Sequence, residues 1–255
     1  MSLNENIQVA IKKTTINSLN LNSKKPADRL FYIDNIRWLI IVFVVIVHLS
    51  VTYGNMGSWF YKEPATLDTF SFTIFGMIGS FLDAFFMGLL FFIAGYFSVS
   101  SLEEKGTKKF LKDRFIRLGI PTLVFMLILS PLTNNIVQFF SHKPLFSYVS
   151  YLFSFRFLSA SGPLWFALAL LGFSIVYAFV NLFIKNRKED KKFMLNSKHL
   201  ILLILILTAF TFLFRIFWPS GSNAFMFYNL QLGKFAQYII LFSAGIFAFK
   251  NNLLE

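Results

Sequence analysis

Long apolar stretches, separated by short polar ones, dominate the pattern of this chain. A helix needs about 20 apolar residues to cross the hydrocarbon core of a bilayer. Stretches of this kind lie near 36–54, 81–100, 118–140, 164–184, 199–218 and 234–250. Residues 72–80 are also apolar but contain Gly76 and Gly79, so they form either an interfacial approach to the second span or its first turns. The pattern predicts an all-α fold, a polytopic transmembrane bundle of about six helices.

The short polar stretches hold most of the basic residues, and they hold them unevenly. Lys and Arg number six in 1–37, six in 99–117 and six in 185–198, against one in 54–70, two in 141–163 and none in 219–233. Because cytosolic loops of membrane proteins carry the excess of Lys and Arg, this alternation predicts that both termini are cytosolic.

The first 29 residues differ from the rest of the chain. They are polar, contain four lysines and show little apolar periodicity, which predicts a disordered basic cytosolic tail. The segment is too long and too polar for the charged region of a signal peptide. Residues 30–255 are predicted to form one transmembrane domain.

Composition supports residence in the cell membrane as a multi-pass protein. The chain is 56% hydrophobic, contains 36 phenylalanines and is only 14% charged, which excludes a soluble globular domain. Its net charge of +12 raises nucleic acid as a partner, but the basic residues interrupt apolar stretches and form no continuous stripe. We therefore predict the lipid bilayer as the partner and no nucleic acid. Without cysteine, any covalent chemistry must use other side chains.

Charged and imidazole side chains within the spans are the candidates for chemistry, because a charge near the bilayer centre costs at least about 2.5–3.5 kcal/mol. Arg37 and His48 lie in the first span, YIDNIRWLIIVFVVIVH. At 100° and 1.5 Å per residue they are about 20° apart around the helix and about 16 Å apart along it. Asp34 extends the same stripe towards the cytosol. The pair thus places a basic group at the cytosolic mouth and an imidazole deeper inside.

Each of these residues also has a structural interpretation. An arginine at a cytosolic helix end commonly marks topology and reaches to phosphate headgroups. A histidine in a span can hydrogen-bond a neighbouring helix. The apolar surroundings of His48 offer no local side-chain partner, and imidazole exchanges protons near neutral pH, which favours a functional role.

Three further sites carry charge near the ends of spans. Asp83 either caps the start of a helix, which the sequence favours, or faces a cavity. Arg114 and Arg117 are one helical turn apart and suit bidentate recognition of phosphate or carboxylate, although they also fit simple anchoring. Arg215 is assigned to the interfacial belt. Gly88 and Gly95 would allow close approach of another helix.

Five blocks in order resemble the acyltransferase 3 family of integral membrane acyltransferases. The family hallmark is an arginine, ten residues and a histidine in the first span, which Arg37 and His48 match. The five blocks are YIDNIRW, DAFFMGLLFFIAGYF, KDRFIRLGIP, GPLWFALALL and QLGKFAQYIILFSAGIFAF. The resemblance covers residues 30–250.

The resemblance implies an enzyme that transfers a short acyl group, acetyl or succinyl, from a cytosolic acyl-CoA-type donor to a hydroxyl of an envelope carbohydrate or a similar acceptor. Arg114 and Arg117 would bind the phosphates of the donor, near the membrane depth of Arg37. His48 would act as general base or carry the acyl group as acyl-histidine. Asp83 would orient the imidazole or bind the acceptor. Acyl-CoA is then a cosubstrate, with no permanently bound cofactor and no metal.

The chain departs from the family in length. Family members usually have about ten spans, whereas this sequence has six, so the domain is expected to be incomplete at its C-terminus. A homo-oligomer or a complementing chain would then cover apolar faces that the missing helices normally bury. Two other functions stay open on the sequence: a small-molecule transporter in which Arg37 and His48 line a path, and a truncated, non-catalytic membrane scaffold.

Overall fold

A computed structural model describes residues 31–54, 61, 67–184, 195–218 and 232–254. The predicted tail, 1–29, lies outside the described residues. The α-helices are α1 (Phe31–Tyr53), α2 (Thr69–Arg114), α3 (Ile120–Val124), α4 (Ser130–Phe140), α5 (Tyr148–Phe153), α6 (Trp165–Ile184), α7 (Ser197–Phe217) and α8 (Leu232–Lys250). The described residues divide into two compact units, one that ends at Leu39 and one that begins at Ile40.

The all-helical membrane fold predicted from the sequence is confirmed. The described residues contain no strand, and each predicted span coincides with helical residues to within one residue at its end. Four helical stretches among these residues are long and apolar enough to cross a membrane: Tyr32–Tyr53, Thr69–Phe140, Gly162–Phe183 and Ser197–Phe217. The number of six spans and the cytosolic termini stay predictions. The apolar residues 72–80 belong to α2, which begins at Thr69 with Asp68 as its N-cap.

The helix α2 reverses direction at Gly106. The backbone there has φ 73° and ψ 162°, which glycine adopts without the steric cost of a side chain. In a straight helix, residues 98 and 114 would lie about 24 Å apart. Instead Arg114 Nη2 donates to Ser98 Oγ at 3.1 Å, and Lys105 Nζ donates to Asp113 Oδ2 at 2.7 Å across the turn. The chain therefore forms a helical hairpin in the basic stretch 99–117.

Two prolines shape the helical path that follows. Pro121 and Pro131 lie in the first turns of α3 and α4, and each follows a π-helical turn, Phe115–Gly119 and Phe125–Leu129. Proline has no N–H, so the carbonyl four residues earlier loses its helical donor. Pro131 leaves the Leu127 carbonyl without a backbone donor, and the Tyr148 hydroxyl donates to this carbonyl at 3.0 Å.

The carbonyl of Met126, next to Leu127, also accepts a hydrogen bond from a tyrosine. Ser130 N–H donates to the Phe125 carbonyl in the π-helical turn, so it does not reach Met126. The Tyr151 hydroxyl donates to the Met126 carbonyl at 2.6 Å. Burial raises the pKa of Tyr151 above its ordinary value, which keeps the hydroxyl protonated as a donor. The short helix α5 is therefore held against the bulged segment by two tyrosines.

The core of the second unit is the contact between α2 and α8. Gly95 faces the Phe242 carbonyl and Gly245 faces the Phe92 carbonyl so closely that a methyl group at either glycine would collide with backbone. Gly88 in the same way accommodates Leu241 and Gln237. The close approach that Gly88 and Gly95 predicted is thus confirmed, with α8 as the partner. Small residues allow such contact in membrane bundles because backbones can then touch.

Aromatic rings fill the space between α2, α6 and α8. The buried Phe91 ring lies 4.7 Å from Tyr238, 4.8 Å from Phe166 and 5.1 Å from Phe173, measured between centroids. By contrast, α7 has no buried residue, although it is one of the most apolar helices. An apolar helix that the protein leaves uncovered is typical of a surface that faces lipid.

Candidate functional site

His48 lies near the end of α1 and is partly buried. Its Nδ1 is 2.7 Å from the carbonyl oxygen of Val44, one helical turn earlier. A carbonyl only accepts hydrogen bonds, so Nδ1 must carry the proton in this contact. The neutral ring then has its lone pair on Nε2, the nitrogen that can accept a proton from a substrate. The helix itself therefore sets the tautomer that a general base requires.

Arg37 lies in the first turns of α1. Its Nη1 is 3.5 Å from Asp34 Oδ1, with 42% of the arginine side chain and 38% of the aspartate exposed. An exposed pair three residues apart on a helix contributes little to stability. Arg37 therefore keeps its charge near the N-terminal end of the helix without being enclosed.

The end of α1 packs against α2 in an antiparallel manner. The rings of Phe43 and Phe85 meet edge to face with centroids 6.1 Å apart, and Gly54 lies against Phe75. His48 is midway between these contacts, so it lies at the height of Ser80 on α2. It points about 120–140° around α1 from the face that touches α2.

Asp83 lies within α2, more than three turns after its first residue, so the interpretation that it caps a helix start is wrong. The cap is Asp68, fifteen residues earlier, whose carboxylate accepts from Ser71 N–H at 3.1 Å. Asp83 Oδ2 instead forms an ion pair with Lys234 Nζ of α8. One turn further along α8, Gln237 Nε2 donates to the Ala84 carbonyl at 2.9 Å.

Asp83 faces a cavity, which was the second interpretation of this residue from the sequence. The cavity measures about 660 Å³ and lies between α2, α7 and α8. Its lining combines charged and hydroxyl-bearing groups with an apolar wall: Ser80, Asp83, Ala84, Ile204, Leu207, Thr208, Thr211, Phe212, Arg215, Lys234 and Gln237. His48 does not line it. The structure therefore places two of the predicted residues in separate surroundings.

Arg114 and Arg117 end up in different environments. Arg114 donates to the buried Ser98 hydroxyl and lies over the Phe110 ring, with Cζ 5.2 Å from its centroid. Arg117 lies in the π-helical turn after α2 and is exposed. The first guanidinium thus fixes the hairpin around Gly106, while the second faces outward beside it.

The family model described as an acyltransferase domain matches residues 30–255. The match covers all of α1 to α8. The chain belongs to the acyltransferase 3 family. The family resemblance drawn from the ordered blocks is therefore confirmed, and with its apolar helices the chain is an integral membrane protein.

Several curated relatives of this acyltransferase 3 chain share one name. Glucans biosynthesis protein C of Salmonella schwarzengrund (strain CVM19633) is 28% identical over 176 residues, which are 67% of this chain and 44% of the relative. The proteins of that name from Salmonella paratyphi B (strain ATCC BAA-1250 / SPB7) and Salmonella heidelberg (strain SL476) match with the same identity and coverage. The chain thus spans less than half the length of these relatives. No solved structure matches it.

Family membership does not assign individual residues. The catalytic roles of His48, Arg37 and Asp83, and the donor-binding roles of Arg114 and Arg117, stay predictions. Within the described residues, no three His, Asp or Glu side chains form a group that could hold a metal ion. The expectations of no metal and no permanently bound cofactor also stay predictions.

Sequence reasoning missed the partners of Asp83. Lys234 and Gln237 stand in the block QLGKFAQYIILFSAGIFAF, and a lysine at the start of an apolar span is itself a signal of a buried partner. Arg215 was assigned to the interfacial belt, yet it lines the same cavity. These three residues lie more than 130 positions from Asp83, so only the packing of α7 and α8 brings them to it.

Proposed function

We propose that this chain is an acyltransferase of the cell membrane that moves an acetyl or succinyl group from a cytosolic acyl-CoA-type donor to a hydroxyl of an envelope carbohydrate. Its family supports the reaction class. The name of the relatives, glucans biosynthesis protein C, supports a glucan as the type of acceptor.

One observation carries the assignment of His48. The contact between Nδ1 and the Val44 carbonyl holds the ring in the tautomer with a basic Nε2. A hydroxyl is a poor nucleophile until a base removes its proton, and imidazole is the side chain suited to do so near neutral pH. His48 is therefore the residue we place at the reacting atoms.

The reaction then proceeds as follows. Nε2 of His48 accepts the proton as the acceptor oxygen attacks the thioester carbonyl carbon. A C–O bond forms, the C–S bond breaks, and the departing CoA thiolate takes the proton back from the imidazolium. In the alternative route, Nε2 itself attacks the thioester carbon, so that a C–N bond forms as the C–S bond breaks and the CoA thiolate departs. The acceptor oxygen then attacks the acyl carbon, a C–O bond forms as the C–N bond breaks, and the hydroxyl proton ends on the CoA thiolate.

The donor would bind at the basic hairpin. Its phosphates carry several negative charges, and the exposed guanidinium of Arg117 lies beside Arg114 at the end of α2. Guanidinium groups bind phosphate through paired N–H donors. Arg37 supplies a further positive charge on α1.

The test is acyl-CoA turnover by the purified chain in lipid, with acetyl and succinyl donors and a glucan acceptor. We expect His48→Ala to lower kcat/KM by roughly 100-fold or more. The matched control is His142→Asn, which removes an exposed histidine. His142 has φ 53°, a conformation that asparagine tolerates, so the control preserves the local backbone.

Each outcome of this experiment has a meaning. Turnover that is lost in His48→Ala and kept in His142→Asn supports the proposal. Equal turnover in both variants removes His48 from the reaction. A wild-type chain that consumes no donor overturns the proposed activity for this chain. Labelled acyl groups retained on acid-quenched wild-type protein, and absent from His48→Ala, would replace the general-base route by the acyl-histidine route.

A further inference from the structure

The cavity between α2, α7 and α8 is not used by the reaction steps described above. We propose that it binds an anionic carbohydrate, a sugar that carries a phosphate or carboxylate group, as the acceptor-binding site. The identification as an acceptor site rests on the proposed function. The class of ligand rests on the charge, the hydroxyl groups and the size of the cavity.

The charge of the cavity is positive. Asp83 and Lys234 neutralise each other as an ion pair, and 16% of the lysine side chain and 45% of the aspartate side chain are exposed. Arg215 adds a second cation, and among the described residues it forms no ion pair. A guanidinium is always charged and presents paired N–H donors that match phosphate and carboxylate oxygens. One negative charge on the ligand would balance the cavity.

Neutral polar groups surround these charges. The hydroxyls of Ser80, Thr208 and Thr211 and the amide of Gln237 line the same space. The Thr208 hydroxyl donates its proton to the Ile204 carbonyl at 2.8 Å, so toward a ligand its oxygen would act as an acceptor. The Gln237 amide donates to the Ala84 carbonyl, which directs its oxygen away from that backbone. Several acceptors beside one strong cation suit a ligand with many hydroxyls and one anionic group.

An apolar wall completes the lining. Ile204, Leu207 and Phe212, all on α7, supply apolar side chains to the lining. The C–H faces of a sugar ring can pack on such a wall while its hydroxyls turn to the polar side. The volume of about 660 Å³ lies within the range of small-molecule sites and exceeds what a single inorganic ion requires.

The cavity lies at the height of His48, on the side of α2 that faces away from α1. Ser80 lines one edge of the cavity, and His48 of α1 lies at the height of Ser80 because α1 and α2 pack antiparallel through Phe43 with Phe85 and Gly54 with Phe75. An oligosaccharide held by its anionic group in the cavity would therefore have to extend around α2 for another ring to reach the imidazole. Asp83 and Arg215 act as binding residues in this arrangement.

The test measures binding without any acyl donor, so that it can fail independently of the proposed function. The probe is glucose 6-phosphate, titrated by calorimetry into the chain in nanodiscs of phosphatidylcholine, with glucose and inorganic phosphate as comparisons. We expect glucose 6-phosphate to bind more tightly than either. Arg215→Gln should weaken its binding by about ten-fold or more, because a charged hydrogen bond is lost.

Two control variants accompany this titration. Arg156→Gln removes an exposed arginine outside the cavity and should leave the affinity unchanged. His48→Ala should also bind glucose 6-phosphate as the wild type does, even where it abolishes turnover.

A further variant tests the hydroxyl groups of the cavity. Thr208→Val, which removes an acceptor and preserves the shape of the side chain, should weaken the binding of glucose 6-phosphate and leave the binding of inorganic phosphate unaffected.

The other results would overturn the inference. Equal binding of glucose 6-phosphate by wild type and Arg215→Gln would exclude the cavity as the site. Equal affinity for inorganic phosphate and glucose 6-phosphate would reduce it to an anion site. Loss of the signal in nanodiscs that contain phosphatidylglycerol, with the loss absent in Arg215→Gln, would assign the site to a lipid headgroup instead of a carbohydrate.

Discussion

Two regions of this acyltransferase 3 chain are built in opposite ways. On α1, the tautomer of His48 is set by the Val44 carbonyl, one turn away on the same helix. Between α2, α7 and α8, the surroundings of Asp83 come from Lys234 and Arg215, which belong to distant parts of the sequence. The first region depends on one helix and the second on the packing of three. Changes to packing should therefore affect them unequally.

The largest expected effect is at the imidazole. His48→Asn retains an N–H near the position of Nδ1, which can still donate to the Val44 carbonyl, but it has no equivalent of Nε2. The helix should form as in the wild type, while turnover falls by roughly 100-fold or more. Acyl-CoA consumption and the melting temperature, measured on the same preparation, check this. A variant that loses its fold together with its turnover would show that the imidazole is a structural residue.

The second effect separates the regions through the contact between α2 and α8. Gly95→Ala and Gly245→Ala each force a methyl group against backbone, which should cost about 1–3 kcal/mol of unfolding free energy. Gly79→Ala and Gly172→Ala are matched controls, because nothing lies within 4 Å of the added methyl group. Denaturant titration in detergent micelles measures the difference. Binding of glucose 6-phosphate should weaken in the first two variants only.

Equal unfolding free energies for the four glycine variants would contradict the close contact between α2 and α8. If Gly95→Ala unfolded the protein completely, Gly88→Ala would replace it in the comparison with the control variants. The atoms that its methyl group meets belong to the Leu241 and Gln237 side chains. Side chains can move aside at smaller cost than backbone.

A smaller effect is expected within the cavity itself. A double-mutant cycle of Asp83→Asn and Lys234→Met should give a coupling energy of about 1 kcal/mol, since the lysine is mostly covered while the aspartate is half exposed. Unfolding free energies of the two single variants and the double variant supply the cycle. The same cycle for Asp34 and Arg37 should give less, because both side chains are well exposed. Equal coupling in the two cycles would contradict this difference.

The smallest effect concerns the start of α2 and appears as a dependence on pH. Hydrogen bonds from Ser71 lower the pKa of Asp68 below its ordinary value of 3.8. A carboxyl whose pKa is lowered by folding stabilises the folded state fully above its unfolded pKa, and this contribution is lost as pH falls through the folded pKa. Asp68→Asn caps the helix without titrating. The melting temperature of Asp68→Asn should therefore fall slightly less between pH 7 and pH 3 than that of the wild type.

A control for that prediction is Glu104→Gln, which removes an exposed carboxylate elsewhere in α2 and leaves the start of the helix unchanged. A pH dependence that does not differ between wild type and Asp68→Asn would show that the cap contributes nothing measurable. The helix would then begin at Thr69 because of its packing alone.

The positions of the helices were predictable, and the partners of the charged residues were not. Apolar runs of spanning length predicted α1, α6, α7 and α8 to within a few residues, since in a bilayer the backbone must satisfy its own hydrogen bonds. The same pattern left the role of Asp83 open, and the preferred interpretation as a cap was wrong. It failed because α2 begins at Thr69, so that Asp83 lies inside a helix.

The hairpin at Gly106 shows the same limit at shorter range. The sequence KGTK places a glycine in a basic stretch, but it does not indicate that the chain reverses there. The contact of Arg114 with Ser98 shows it, because those residues meet across a turn. The spacing predicted that Arg114 and Arg117 bind one ligand together. In the structure, Arg114 contacts Ser98 and the Phe110 ring, whereas Arg117 is exposed.

The sequence by itself determined that the chain is a helical membrane protein of the acyltransferase 3 family, and it singled out Arg37 and His48, because both depend on local pattern. Apolar length, basic loops and a fixed spacing along one helix need no knowledge of neighbours. Only the tertiary structure decided that Asp83 meets Lys234 and that Arg215 faces the same cavity. Those contacts depend on how closely α2 and α8 approach, which the glycines permit but which no single segment specifies.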